Sequence, residues 1–419
     1  MSKQDLGQQR QRLQEPPPDE DAAPKPSGGQ LVAQVIALGV GAVTIAPLVA
    51  MSLHFLISGL YGGALLTAGL GAFGASMILS GPVAFLSARS VRQARNLILV
   101  ICGLTALVAT IGMFRPSTEG WTRIEGTDDW SDPRIHLVGP RLLAQRSSGS
   151  EGADTGWLSL DGQWRSLDYP GAFGWMLGHF DEGAAPESQT LWAAPRDQPA
   201  LYVCPAPCAR WEAVERPPGR IDAAALTRGA ALISVAGALY HAPGASPGAR
   251  WRQALQANVR AVAFHPHQTH LALATSHKRL SWSEDQGQSW RDITPEDMPD
   301  TSLDVAVGQG RWYVFSGGSF LGGTLRSSDD PAQKIWQRHE LPGQDIRVMV
   351  VNPDDGLELW MGTWGQGVFR SKDGGQSWQN LGLEGLEIRA LDVDFEAGRV
   401  IVGSSNTISP QGIFTRQVF

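Results

Sequence analysis

One short motif recurs along this chain at a fixed spacing, and it restricts the fold more than any other feature. The segments "WSEDQGQSWRDI" (282–293) and "RSKDGGQSWQNL" (370–381) share Ser, Asp, Gly, Ser and Trp at the same relative positions. Their first serines, Ser283 and Ser371, are 88 residues apart, and a partial copy begins halfway, at Ser327. A period near 44 residues is the size of one four-stranded propeller blade.

Weaker copies extend the repeat to seven units. They are "WLSLDGQWRSL", "LYVCPAPCARWEAV", "LYHAPGASPGARWRQAL" and the C-terminal "GIFTRQVF", and the anchor positions of all seven are 159, 204, 242, 283, 327, 371 and 416. The last unit ends before its tryptophan, and "GWTRIEG" (120–126) offers Trp121 instead. We therefore predict an all-β seven-bladed propeller over residues 117–419. Strand 120–126 would close its last blade and remove the exposed sheet edges.

The motif has a physical role in the turn between the third and fourth strands of a blade. Its Ser and Asp side chains accept hydrogen bonds from turn amides, its glycine tolerates positive φ, and its tryptophan buries apolar surface between blades. This is the pattern of the Asp-box, S-x-D-x-G-x-S/T-W, and it predicts architecture rather than a direct functional role. The assigned residues are Ser283, Asp285, Gly287, Trp290, Ser327, Asp329, Trp336, Ser371, Asp373, Gly375 and Trp378.

The N-terminal part of the chain has a different character. Residues 1–29 are polar and Pro-rich, which predicts a disordered tail. Three apolar stretches follow within residues 30–115, each about as long as the roughly 20 residues that cross a bilayer, so we predict three transmembrane α-helices before the propeller. A cleaved signal peptide is the alternative for the first stretch.

Charge sets the expected topology. The basic residues Arg89, Arg92 and Arg95 lie between the second and third stretches, and such loops favour the cytoplasmic side. We predict a multi-pass protein of the bacterial inner membrane with a cytoplasmic N-terminus and a periplasmic or extracellular propeller.

The predicted propeller is acidic. Subtracting the 8 basic and 5 acidic residues of 1–116 from the totals of 34 and 41 leaves 26 basic and 36 acidic residues, a formal net charge of −10. Nucleic acid is therefore excluded as a partner.

From about residue 117 to 419 the chain resembles the Asp-box (BNR-type) β-propeller superfamily. Its members include sialidases, xyloglucan-degrading glycosidases, sortilin-type receptors and photosystem II assembly-factor propellers, and they are mostly exported. The repeat carries the resemblance and no subfamily signature accompanies it, so the resemblance implies a fold rather than a function.

Catalytic residues of the sialidase type are not evident. The nearest match to the required Phe-Arg-Ile-Pro strand is "FRP" (114–116). Tyr202 and Tyr240 are expected on third strands and Tyr313 on a second strand, away from the mouth of the channel. No pair of carboxylates stands out for glycoside hydrolysis. We predict no catalytic residues; an enzyme of this type would be a sialidase-like glycoside hydrolase.

Three arginines recur at the start of predicted innermost strands. "NVRAVAF", "DIRVMVV" and "EIRALDV" place Arg260, Arg347 and Arg389 at the mouth of the channel, where guanidinium groups bind carboxylates, phosphates or acidic segments. The resemblance to assembly-factor propellers, which contact partners through an arginine patch, supports this interpretation. The alternative is structural pairing, with Asp304, Asp345 and Asp392 as partners.

Loops between second and third strands are expected on the same face. "SGGSFLGG" carries Phe320, "GTWGQG" carries Trp364, and "TSHKR" carries Lys278 and Arg279. Exposed aromatic and basic side chains beside glycines suit protein contact or sugar stacking. The alternative is that these loops are ordinary blade connectors.

Cysteines and histidines add no cofactor. Cys204 and Cys208 flank a hairpin in an oxidising compartment, which predicts a local disulfide. His265, His267 and His270 fall in a solvated turn, so we predict no metal site.

The sequence as a whole favours a non-catalytic protein-binding scaffold or assembly factor for a membrane complex. The alternative is a membrane-tethered carbohydrate-binding or glycoside-hydrolase-like protein.

Overall fold

The computed structural model describes most of the chain from residue 118 onward. Within that part lie twenty-eight β-strands in seven four-stranded antiparallel sheets, and the 3-10 helix Pro331–Gln333. The predicted all-β seven-bladed propeller is therefore confirmed. The described ranges are 118–139, 141–148, 152–169, 174–180, 189–195, 200–246, 248–317, 323–342, 345–405 and 410–418.

The strands are numbered in chain order. The first, β1 (Thr122–Arg123), belongs to the last blade. Blade 1 contains β2 (Ser131–Val138), β3 (Arg141–Ser148), β4 (Gly152–Leu158) and β5 (Trp164–Ser166). Blade 2 contains β6 (Gly174–Phe180), β7 (Thr190–Pro195), β8 (Ala200–Cys204) and β9 (Glu212–Glu215). Blade 3 contains β10 (Ile221–Leu226), β11 (Ala231–Val235), β12 (Ala238–Ala242) and β13 (Arg252–Gln256).

The remaining blades follow the same plan. Blade 4 contains β14 (Ala261–Phe264), β15 (Ala272–Ser276), β16 (Arg279–Ser283) and β17 (Arg291–Asp292). Blade 5 contains β18 (Asp304–Gly308), β19 (Arg311–Ser316), β20 (Thr324–Ser328) and β21 (Gln337–His339). Blade 6 contains β22 (Ile346–Val351), β23 (Leu359–Thr363), β24 (Val368–Ser371) and β25 (Gln379–Asn380). Blade 7 contains β26 (Glu387–Asp394), β27 (Arg399–Ser405) and β28 (Pro410–Gln417), with β1 outermost.

Strand direction defines two faces of the propeller. The first strand of each blade lies innermost, and its start marks what we call the mouth face, which also carries the loops between second and third strands. Because the strands alternate in direction, the hairpins between third and fourth strands lie on the opposite side, which we call the turn face. The functional argument depends on which residues lie on each face.

The last blade is completed by residues from the beginning of the described chain. Thr122 pairs with Thr415 and Arg123 with Phe414, and the Ile124 amide donates to the Ile413 carbonyl at 2.9 Å. The outer strand therefore comes from a segment more than 290 residues away from its partner strand in sequence. This pairing supplies the fourth strand of blade 7 and closes the ring.

One tryptophan packs against each of the seven apolar clusters between blades. Three of these tryptophans donate the indole N–H to a backbone carbonyl of the preceding blade. Trp121 donates to Leu381 at 2.7 Å, Trp211 to Leu167 and Trp251 to Glu215. The apolar cores of this fold thus lie between the sheets, and each has its own aromatic contact. The seven are Trp121, Trp164, Trp211, Trp251, Trp290, Trp336 and Trp378.

The two complete motif copies fold into the same hydrogen-bonded hairpin. In blade 6 the Ser371 hydroxyl accepts from the Gly375 amide at 2.8 Å and donates to Asp373, which accepts from the Ser377 amide at 2.9 Å. Ser283 and Asp285 make the corresponding contacts in blade 4. Gly375 has φ +90°, a conformation that L side chains rarely adopt.

The third copy has a different hairpin. Ser327 Oγ lies 2.7 Å from His339 Nε2, and Asp329 forms an ion pair with Arg311 at 2.6 Å instead of capping the turn. The cause is the local sequence, because Pro331 replaces the glycine and opens a short 3-10 helix that delays Trp336. The sequence match at Ser327 and Asp329 thus overstates the likeness of this turn to the other two.

The predicted tail (1–29) and the three predicted transmembrane helices (30–115) lie outside the described residues. Within the described part of the chain, no helix is both long and apolar enough to span a bilayer. The membrane topology therefore stays a prediction from the sequence.

Replacement of Asp373 by alanine is expected to lower the free energy of unfolding by about 1–3 kcal/mol, because turn donors lose their acceptor. Hydrogen bonds from Ser377 hold the pKa of Asp373 down to about 2. This depressed pKa means that the carboxylate stabilises the fold above its unfolded pKa and loses that effect as the pH falls through about 2. Chemical denaturation at neutral pH, with Glu396→Ala as an exposed control, measures the difference. An equal effect of both variants would contradict the prediction.

Candidate functional site

The mouth face is built on β-bulges at the start of inner strands. In blade 6, Ile346 pairs with Thr363 and Val348 with Gly362, so Arg347 is an extra residue without a partner. Arg389 in blade 7 and Asp222 in blade 3 occupy the same kind of position. A bulge redirects the side chain of its extra residue and is frequent beside functional sites. The charged side chains at the mouth thus follow from a repeated backbone feature.

Ion pairs hold the mouth residues within blades 6, 7 and 1, and one of them links blade 7 to blade 1. Arg347 Nη2 lies 3.3 Å from Asp345 Oδ2, and Arg389 Nη2 lies 2.9 Å from Glu387 Oε1. The same Arg389 approaches Asp132 Oδ1 of the next blade at 3.9 Å. Asp132 also lies 3.2 Å from Arg134. Each of these arginines is preceded by its acid two residues earlier in the sequence.

On the other side of the mouth, arginines and carboxylates also lie near one another, at longer distances. Arg220 Nε lies 3.7 Å from Asp222 Oδ1, and Arg260 interacts electrostatically with Asp304 of the next blade. We call the complete set the mouth ring, and among the described residues it contains five arginines and five carboxylates. Its members are Asp132, Arg134, Arg220, Asp222, Arg260, Asp304, Asp345, Arg347, Glu387 and Arg389.

Trp364 forms an aromatic platform beside the ring. The Arg347 guanidinium carbon lies 4.2 Å from its ring centroid, within the range of a cation–π contact. The backbone of the loop is fixed, because the Trp364 amide donates to the Asp345 carbonyl at 3.0 Å and Gly365 donates to Leu386 at 2.9 Å. Indole and guanidinium are therefore held together between the starts of β22 and β26.

Two ring carboxylates are almost completely buried beneath their arginines. Asp345 is 5% and Glu387 is 3% exposed, whereas the Arg347 and Arg389 side chains keep 32% and 40% of their surface. Burial raises the pKa of Asp345 against the opposing effect of Arg347, and burial likewise raises the pKa of Glu387 against Arg389. The arginines are thus fixed from below and remain accessible from above.

These raised pKa values predict a pH-dependent stability. A carboxyl whose folded pKa lies above its unfolded value binds protons more tightly in the folded state, so the stability it contributes below the unfolded pKa is lost as the pH rises through the folded pKa. We expect the melting temperature of the wild type to fall, relative to Asp345→Asn/Glu387→Gln, as the pH is raised from the ordinary carboxyl range towards neutrality. Asp128→Asn/Asp129→Asn, exposed at a turn, is the control. A constant difference between wild type and the first variant across this range would contradict the prediction.

The predicted binding residues divide into two groups. The structure brings Arg347, Arg389 and Trp364 together in one sector of the mouth, and places Arg260 with Asp304 in another. Lys278 and Arg279 are exposed on the adjacent loop of blade 4, where Arg279 interacts electrostatically with Asp292 of the outer strand. Phe320 lies outside the described residues.

Among the described residues Asp392 pairs with a histidine and not with an arginine, which differs from one of the structural alternatives. It lies further down the channel, where its Oδ2 accepts from the Leu137 amide at 2.8 Å and lies 3.2 Å from His136 Nδ1. His136 Nε2 is in turn 2.7 Å from His179 Nδ1. The inner strands of blades 7, 1 and 2 are thus joined by a polar chain deep in the channel.

Sequence reasoning missed Asp132, Arg134 and Glu387. The signal was present, because an acid precedes an arginine by two residues at 132/134, 345/347 and 387/389. Alternation in a regular strand would place such a pair on one side of the sheet, and the bulges keep the pair at the mouth rim instead. A search that assumes the two-residue alternation of a regular strand does not detect acid–arginine pairs that lie at bulges.

Other predicted residues lie away from the mouth. Cys204 and Cys208 form a disulfide at the outer hairpin of blade 2, with an S–S distance of 2.05 Å. His265 accepts from the amides of His267 and Gln268 in a turn of blade 4. Within the described ranges, no group of three or more His, Cys, Asp or Glu side chains is arranged to hold a metal ion. The three tyrosines Tyr202, Tyr240 and Tyr313 lie on third, third and second strands, as expected.

Comparison with known proteins identifies a fold. No protein-family description matches the chain, and no curated protein sequence is similar to it. Among solved structures, the chain is similar to the GH74 xyloglucanase from Xanthomonas campestris, with 18% identity and a TM-score of 0.51 over 71% of this chain and 53% of that one. It is also similar to the WD40 repeats of RRP9, with 9% identity and a TM-score of 0.54 over 73% of this chain and 99% of that one.

The fold is a seven-bladed β-propeller. A structure of YCF48 bound to D1 peptide matches less well, with 16% identity and a TM-score of 0.47 over 71% of this chain and 94% of that one. A xyloglucan-degrading enzyme is among the relatives that the repeat indicated, so the resemblance is confirmed at the level of fold. The chain spans about half the length of that xyloglucanase. At these identities the function has to be argued from the site itself.

Proposed function

We propose that this protein is a non-catalytic scaffold that binds a protein partner at its mouth ring. Residues 30–115 would anchor it in the bacterial inner membrane, with the propeller in the periplasm, and the partner would belong to a membrane or periplasmic complex. The observation that carries the proposal is the sector in which Arg347 and Arg389 are held by buried carboxylates beside Trp364.

Preorganisation supports binding at this sector. Arginine and tryptophan are the residues that most often dominate the energetics of protein interfaces. A flexible arginine loses rotamer freedom on binding, at a cost of about 0.5–1.5 kcal/mol for each immobilised side chain. Here Asp345 and Glu387 have already fixed the guanidinium groups, so that cost is reduced while the outward N–H groups remain available.

The charge balance of the ring supports a polypeptide partner over a simple anion. Five arginines are matched by five carboxylates, so the formal charges of the ring sum to zero. A phosphate site would need an excess of positive charge. A peptide segment that offers both carboxylate and basic or amide groups would find a complement for each along this ring.

The test is purification of the tagged full-length protein from its native membrane in mild detergent, followed by mass spectrometry. The mouth variant is Arg260→Gln/Arg347→Gln/Arg389→Gln. The matched control, Arg123→Gln/Arg165→Gln/Arg291→Gln, removes the same charge from exposed outer strands. We expect a stoichiometric protein in the wild-type and control eluates and its loss from the mouth variant, with melting temperatures reported for all three.

Two outcomes would contradict the proposal. One is a partner retained by a folded mouth variant, and the other is the absence of any stoichiometric protein from the wild-type eluate. Loss from both variants would place the contact outside the mouth, which also opposes it.

A carbohydrate-active function is the second candidate, and one observation favours it. Asp132 and Glu387 approach the same Arg389 from two blades, and burial raises the pKa of Glu387, as a general acid requires. Against it, the Arg389 guanidinium occupies the space between the two carboxylates. The test is to incubate the protein with a panel of polysaccharides and to measure the reducing ends that hydrolysis releases. Hydrolysis by the wild type that Glu387→Gln abolishes would establish this candidate instead.

A further inference from the structure

The direction of β1 places the point where the chain enters the propeller. β1 is antiparallel to β28, so residues 118–121 approach from the turn face. Gly120 and Trp121 take the positions that Ser377 and Trp378 hold in the hairpin of blade 6. The hairpin of blade 7 is therefore open, and the chain enters the propeller at that site.

Among the described residues, the exposed large apolar side chains lie on the same face. Three large hydrophobic residues are exposed among the described residues: Leu160 at 39%, Leu357 at 43% and Ile335 at 69%. Leu160 and Ile335 belong to the outer hairpins of blades 1 and 5, and Leu357 belongs to the loop between β22 and β23 of blade 6. Blades 6 and 1 are the two neighbours of blade 7, so Leu357 and Leu160 flank the point of chain entrance, and Ile335 lies one blade further on the side of Leu357.

Exposed charges of both signs lie in this sector, and the acidic ones include Asp330, Asp354 and Asp355. Lys334 is exposed next to Ile335, and Lys372 is exposed on the hairpin of blade 6. Asp329 is paired with Arg311, and Asp161 and Asp373 accept hydrogen bonds within their own hairpins. Lysines beside protruding aliphatic side chains are typical of protein surfaces that contact phospholipid headgroups.

We propose that the turn face of blades 5, 6, 7 and 1 lies against a lipid bilayer, with Leu160, Ile335 and Leu357 in its interface. The chemistry of this partner is also indicated by the chain itself, since the apolar stretch "NLILVICGLTALVATIGMF" (96–114) ends four residues before Thr118. The inference rests on the membrane anchoring in the proposed function. Its consequence is that the mouth ring faces away from the lipid.

Fluorescence quenching in vesicles tests the orientation. The full-length protein with Cys102→Ser is reconstituted into phosphatidylcholine vesicles that contain a minor fraction of phosphatidylglycerol and nitroxide-labelled lipid. A fluorophore is attached at Ile335→Cys or Leu160→Cys on the turn face, or at Lys278→Cys on the mouth face. All three positions are exposed, so the labels leave the core intact. We expect loss of fluorescence at 335 and 160 and unchanged fluorescence at 278.

The outcomes separate this inference from the proposed function. Equal quenching at the three positions, or stronger quenching at 278, in protein that floats with the vesicles overturns the orientation and leaves the anchoring intact. A chain that does not float with the vesicles overturns both the anchoring and the orientation. Partner binding at the mouth ring is measured separately, by the purification described above.

Discussion

Arg370→Met is expected to lower the free energy of unfolding by about 3–5 kcal/mol, because it leaves a buried carboxylate without its cation. Arg370 and Glu358 are 6% and 8% exposed, and both Arg370 Nε and Nη2 donate to Glu358 Oε1. The guanidinium also lies 4.8 Å from the centre of the Trp360 ring, which is fully buried. Chemical denaturation followed by tryptophan fluorescence measures the loss.

A double variant provides the control for this pair. In Glu358→Met/Arg370→Met neither charge is buried, so the cost is expected to be smaller than that of Arg370→Met alone, since replacement of a whole buried pair by apolar residues is often close to neutral. Asn352 Nδ2 would lose its 2.9 Å contact with Glu358 Oε2 in the double variant and in the single variant Glu358→Met. A double variant as unstable as the sum of its single variants would show that the two charges do not depend on each other.

Trp121→Ala is expected to cost about 3–5 kcal/mol, the range for removal of a large buried aromatic side chain. Trp121 packs in the cluster between blades 6 and 7 and donates its Nε1 to the Leu381 carbonyl. Trp121→Phe keeps most of the packing and removes one of two donors to the Leu381 carbonyl, because Arg416 Nη1 also donates to it. It should therefore cost less, about 0.5–1.5 kcal/mol.

Limited proteolysis would locate the effect of the Trp121 variants. Because the residue holds the outer strand of the closing blade, the alanine variant should be cleaved first next to residue 118, earlier than Trp251→Ala, which alters the equivalent half-buried residue between blades 2 and 3. Cleavage that begins elsewhere would argue that the closing strand is held by other contacts.

Much of the fold was predictable because the repeat is local. Ser371, Asp373 and Gly375 make their hydrogen bonds within five residues, so the hairpin appears in the sequence as a fixed pattern. The same spacing identified Trp121 as the seventh tryptophan, because the last repeat ends before its own tryptophan and "GWTRIEG" resembles the missing segment. Even the weak copies at 204 and 242 lie on third strands, where the repeat placed them.

The site was less predictable, because its geometry depends on pairing between strands. Arg347 and Arg389 were found from their repeated position, but a bulge is visible only in the register of one strand against another. The partnership of Arg389 with Asp132 joins two blades that are 257 residues apart in sequence. The failed copy at Ser327 shows the opposite limit, where matching residues are present and one proline changes their contacts.

The bulges have a consequence for how this mouth can vary. Arg347, Arg389 and Asp222 are supernumerary in their ladders, and the buried Ile346, Ile388 and Ile221 before them keep their own partners. The residue type at the extra position is therefore independent of the alternating apolar residues that pack in the cores between blades. The same backbone device carries a cation in two blades and an anion in a third, so the charge pattern of the rim is free to diversify on an unchanged scaffold.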